Sequence, residues 1–143
     1  MNYAHLEKLI ARIKERPTNN VNLDTFLSFR NTAAQVAVVS YELETSRPSE
    51  CGAVGCIAGY AATLSNDLAI DALTGVMFIT TALNYLGISG TEAEDLFHSI
   101  NIWEEVYFND DHQKVALTRL YFLSKNGYFD ADQFRHAVMR GEF

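Results

Sequence analysis

The stretch Tyr85-Leu-Gly-Ile-Ser-Gly-Thr-Glu-Ala-Glu-Asp-Leu-Phe97 constrains this fold more than any other part of the chain. Ahead of it, Ala72, Val76, Ile79, Leu83 and Leu86 step at four and three residues, the spacing of one buried helix face, which predicts a helix from about Asp71. Gly87 suits the left-handed position just past a helix end, and Ile88 is placed to fold back onto the last turn. Two overlapping capping-box spacings follow, Ser89 with Glu92 and Thr91 with Glu94, ahead of Leu96 and Phe97. A helix, a tight corner and a second helix are expected. Such a corner must bury both helices against further helices.

The rest of the chain reads the same way. Leu6, Leu9, Ile10 and Ile13 share a helix face, and Pro17 stops that helix after a basic last turn with Lys14 and Arg16. Residues 18 to 31 are open between strand and short helix, and AAQVAVVSYELE is read as helix against a valine run that favours strand. Pro48 makes a loop of SRPSE, because the residue before proline is pushed out of the helical region. Asp110 or Asp111 opens a helix carrying Val115, Ala116, Leu120 and Leu123, which ends at Asn126-Gly127. Asp130, with Gln133 three residues on, starts the last one, and Gly141 stops it. With 143 residues, 48% of them hydrophobic, the expectation is all-α: residues 1 to 143 as one compact domain of about six helices with irregular topology.

Charge narrows the function. Residues 48 to 113 hold no Lys or Arg, yet carry ten acids. Such a field repels phosphate backbones, so direct nucleic-acid binding is not expected, and a basic protein partner is favoured. The corner helix offers Glu92, Glu94 and Asp95 where a recognition helix needs cationic or amide side chains, so it is read as structural. The first 17 residues are charged throughout and lack the apolar centre of a signal peptide, and no apolar run approaches the roughly 20 residues of a membrane span. A soluble cytoplasmic protein without membrane contact follows as the expectation.

Both cysteines lie in ECGAVGCIAGYAA. Cys56 falls in the first turn of a predicted helix, where backbone N–H groups and the macrodipole favour a thiolate, so Cys56 with His98 or His112 as base forms a minority catalytic set. His136 is a further base, and Asn109, Asp110 and Asp111 could orient one. The setting is similar to that of papain-like enzymes in that a cysteine opens a helix, but Ile57 stands where that family has tryptophan. Cys51 and Cys56 are five apart, which turns them about 140° from each other on a helix, so no metal site is expected. Gly52, Gly55 and Gly59 spell no phosphate-binding loop, and no cofactor is expected. Glycine costs ~1 kcal/mol in a helix interior, so Gly55 and Gly59, one turn apart, point to a close helix contact with Cys51 and Cys56 as small fillers.

The segment CGAVGCIAGYAA, followed by ALNYLGIS and EAEDLF, resembles a recurring pattern in small uncharacterised proteins of bacteria and their phages. These carry C-G-T-x-x-C-x-A-G-W/H-A, then a leucine-glycine corner and an E/Q-A-x-x-L-F helix. Cys51, Gly52, Cys56, Ala58, Gly59, Ala61, Leu86, Gly87, Ala93, Leu96 and Phe97 fit, while Ala53 and Tyr60 depart. The resemblance covers about residues 1 to 98 and implies a small all-helical phage or mobile-element protein, with no activity attached.

The leading functional expectation is an acidic interaction module. Its contact surface is Trp103, Glu104, Glu105, Tyr107, Asp110 and Asp111, and a homodimer through Trp103 is also open. A cysteine-dependent hydrolase or transferase and a DNA mimic are the alternatives.

Overall fold

A computed structural model describes residues 1–17, 20–23, 27–28, 54–65 and 75–143. Among these residues there are seven helices: α1 (Tyr3–Lys14), α2 (Ile57–Leu64), α3 (Gly75–Leu86), α4 (Gly90–Leu96), α5 (Ile102–Tyr107), α6 (His112–Asn126) and α7 (Ala131–Met139). One antiparallel pair, β1 (Leu27–Ser28) with β2 (Val54–Gly55), sets Leu27 opposite Gly55. Two residues a side make a local tie, and the fold is all-α.

The helices start and stop for local reasons. Asn2 caps α1 by accepting from His5 N–H at 3.1 Å, and Leu6, Leu9 and Ile13 are its buried stripe. Gly87 takes φ +67 after α3, and the N–H groups of Gly87 and Ile88 both reach Leu83 O, at 2.8 and 3.1 Å. Ile88 thereby folds back into the core, and the expected corner is present. Of the two capping boxes, Ser89 with Glu92 forms: Glu92 N–H donates to Ser89 Oγ at 3.2 Å and Ser89 N–H to Glu92 Oε1 at 3.3 Å. Asp111 caps α6 and Asp130 caps α7, with Gly127 in the left-handed region past the end of α6.

The cysteine segment differs from its expected form. Cys56 is the extended cap residue before α2 rather than part of its first turn, because its Sγ accepts from Gly59 N–H at 3.5 Å. Gly55 therefore belongs to β2, not to a helix face shared with Gly59. Gly59, Ala58, Ala61 and Ala62 are all buried in α2, which packs along α3. Cys51, Gly52 and the helix read over AAQVAVVSYELE lie outside the described residues, as does the expected start of α3 at Asp71.

The core runs through every helix but is centred where α1 meets α2, α3 and α6. Polar side chains lock its seams. Gln113 on α6 donates to the carbonyls of Ile13 and Arg16, at 2.9 and 2.6 Å, and so finishes the end of α1. Tyr60 on α2 donates to Asn20 O at 2.6 Å and accepts from Arg16 Nε at 3.3 Å.

Candidate functional site

Helix α5 has only six residues, too few to hold a helix on local propensity. It is held by its inner face. Glu104 is fully buried, and its carboxylate meets the Arg119 guanidinium of α6 as a fork, Nε to Oε2 at 3.0 Å and Nη2 to Oε1 at 2.5 Å. Oε1 also accepts from Asn101 N–H at 3.0 Å, which closes the first turn of α5. The remaining Arg119 donors go to the carbonyls of Leu96, His98 and Ser99, at 3.1, 2.5 and 3.3 Å. All five guanidinium N–H groups are thus used, and one buried side chain ties α6 to α5 and to the link behind α4.

With its inner face fixed, α5 presents apolar side chains outward. Ile102 and Val106 are 80% and 75% exposed, one helical turn apart. Beside them a groove of about 680 Å³ runs between α5 and α7, lined by Trp103, Tyr107, Arg135 and Met139 as well. Trp103 forms its floor, half-buried with its ring 5.7 Å from that of Phe134. Tyr107 packs edge-on against Phe108 at 4.9 Å and donates to Val138 O at 3.4 Å. Arg135 lies over the Trp103 ring at 5.7 Å, and Met139 stands one turn further along α7. A smaller cleft of about 240 Å³ shares Asn101, Trp103 and Arg135 and reaches the Glu104–Arg119 pair.

Among the described residues, the acids of the base-free stretch have mostly structural work. Glu92 closes the α4 capping box and also accepts from Phe129 N–H at 3.2 Å. Asp95 accepts from Ala131 N–H at 3.3 Å, and Asp111 caps α6 through Lys114 N–H at 3.0 Å. Asp110 accepts from His112 Nε2 at 3.1 Å. The expectation that Glu104 belongs to an acidic contact surface is therefore corrected: it is buried and neutralised by Arg119. Asp110 and Asp111 sit on the link into α6 and do not line the groove. Of the acids expected on that surface, Glu105 is the one that stands exposed on α5 with no hydrogen bond or ion pair to its carboxylate among the described residues.

The histidines of the expected catalytic set bond to backbone groups and to Asp110. Burial pushes the Cys56 thiol up, outweighing the backbone N–H groups of Gly59 and Ala58 that pull it down, so the cap geometry does not yield a ready thiolate. His112 accepts from Leu23 N–H at Nδ1, at 2.9 Å, which leaves the proton on Nε2 facing Asp110. His98 and His136 donate from Nδ1 to the carbonyls of Ser99 and Asp132, both at 2.8 Å. Among the described residues no group of three or more His, Cys, Asp or Glu is placed to hold a metal ion, and no helix is long and apolar enough to cross a membrane.

Trp103 and Tyr107, expected together from INIWEEVYF, both line the groove, as do Arg135 and Met139, which the sequence did not single out; nor did it single out Arg119. For Arg119 a signal exists: it is a lone charge inside the apolar run of Val115, Ala116, Leu120 and Leu123. Arg135 and Met139 are spaced one turn apart on the polar side of α7, a pattern shared by any solvated helix face. Comparisons with protein-family models, curated proteins and solved structures find no match for this chain.

Proposed function

We propose that this protein is an interaction module that takes apolar side chains of a protein partner into the α5–α7 groove. The observation that carries the reading is the outward placement of Ile102 and Val106, at 80% and 75% exposure, beside a groove whose floor is a tryptophan. Preformed apolar clefts with a few polar groups are the usual receptors for anchoring side chains, and tryptophan, tyrosine and arginine are the residues that carry most interface energy. The groove offers Trp103, Tyr107 and Arg135 together. The resemblance to small bacterial and phage proteins supports an accessory role in a bacterial cell, with a host protein as partner.

The test is site-specific photo-crosslinking. A photoreactive residue in place of Ile102, incubated with bacterial lysate, should yield a discrete adduct identifiable by mass spectrometry. The same residue in place of the exposed Lys8 on α1 should not yield it. Val106→Asp should reduce the Ile102 adduct at least about tenfold, because a charge at an interface centre costs more than 1.4 kcal/mol. An adduct that is equally strong at Lys8, or unaffected by Val106→Asp, sinks the reading.

A further inference from the structure

We infer that the α5–α7 groove is also self-complementary, and that in solution it is covered by the same groove of a second copy of this chain in a two-fold symmetric dimer. Shape supports this. Ile102 and Val106 form a short apolar ridge on α5, and the groove lies directly beside that ridge. A ridge flanking its own groove lets two copies interlock, each ridge entering the other's groove, since a two-fold contact uses the same patch on both sides.

Charge then selects the occupant. Glu105 lies on the ridge, three residues after Ile102 and next to Val106, so it shares the outward face of α5. Arg135 lines the groove on α7. Both are exposed, and neither makes an ion pair among the described residues; the salt bridges there involve Arg12 with Glu15, His112 with Asp110, Arg119 with Glu104, and Arg140 with Glu142. A uniformly basic partner segment would face Arg135, and a uniformly acidic one would face Glu105. A second copy brings an acid on its ridge and a base in its groove, so each Glu105 meets the partner's Arg135 and the pairing occurs twice.

This inference goes beyond the preceding reading, because the dimer and a foreign partner would compete for one groove. Sedimentation velocity of the purified full chain, from about 1 µM to about 500 µM, tests it over the range in which a contact smaller than a standard interface associates. The weight-average mass should rise from that of one chain towards twice that value. Val106→Asp, which alters a solvent-facing side chain and should leave the circular dichroism spectrum unchanged, should hold the mass at that of one chain. Glu105→Arg and Arg135→Glu should each weaken dimerisation about tenfold, and the two together should restore it to within about threefold of the parent.

A chain that stays monomeric at the highest concentration overturns the dimer, as does a dimer indifferent to Val106→Asp. Failure of the double exchange to restore association overturns the two-fold arrangement. Mass spectrometry of the Ile102 adduct tells a second copy of this chain from a lysate protein, so the failure of one reading is distinguishable from the failure of the other.

Discussion

Cys56 sits where a helix N-terminus ordinarily activates a thiol, yet burial dominates. The N–H groups at the start of α2 favour the charged form, but the apolar surroundings disfavour it more, and the folded thiol is harder to ionise than the unfolded one. Below the ordinary thiol value of 9.0 both states are neutral, and the contribution to stability is fully present. As pH rises above that value the unfolded chain releases its proton first, so stability falls until the folded thiol also ionises. Urea midpoints measured at about pH 8 and about pH 10 should therefore drop further for the parent than for Cys56→Ala; equal drops would mean that the thiol is not desolvated. Sequence alone placed Cys56 at a helix start, one position inside where it lies, and carried no information on how completely it is covered. The same limit applies to the acids. Glu92, Asp95, Glu104 and Asp111 are indistinguishable as letters from a contact field, and only their backbone and side-chain donors show that they close turns and seams.

At the scale of elements, the ends were more legible than the middles. Gly87, Ser89, Asn126-Gly127 and Asp130 mark boundaries through left-handed φ or cap bonds, which depend on one or two residue types at fixed offsets. Helix α5 was not recognised as a separate helix, because its apolar residues point both ways: Trp103 inward, Ile102 and Val106 outward. That pattern cancels the periodicity by which an amphipathic helix is read. What holds α5 instead is the Glu104–Arg119 fork. Removing one partner leaves a buried charge without its counter-ion, so Glu104→Leu or Arg119→Leu should each cost about 3–5 kcal/mol in urea unfolding. The double Glu104→Leu/Arg119→Leu replacement should cost clearly less than the sum, and additive losses would show that the pair is not coupled.

For the whole molecule, the all-α class followed from caps and periodicity, and seven helices among the described residues bear it out. The site was legible only in part. INIWEEVYF announced aromatic and acidic residues together, but the other wall of the groove comes from α7, some thirty positions along the chain, and no local pattern joins the two. The map of charge along the sequence placed Glu104 on the surface although it is buried, because charge is conserved on folding while exposure is not.

The Arg119 guanidinium, described above as a tie between α6, α5 and the link behind α4, also implies an order in which parts of the molecule should open. A six-residue helix whose buried carboxylate closes this fork should open as a unit when the fork opens, ahead of global unfolding. Amide hydrogen exchange at Phe108, whose N–H bonds to Glu104 O at 2.9 Å, should share one opening free energy with its neighbours in α5 and accelerate together with them in Glu104→Gln, while the amides of α1 keep their rates. Independent exchange rates along α5 would mean that the fork does not govern it. On this account the groove wall has a lifetime, renewed each time a single arginine finds its carboxylate.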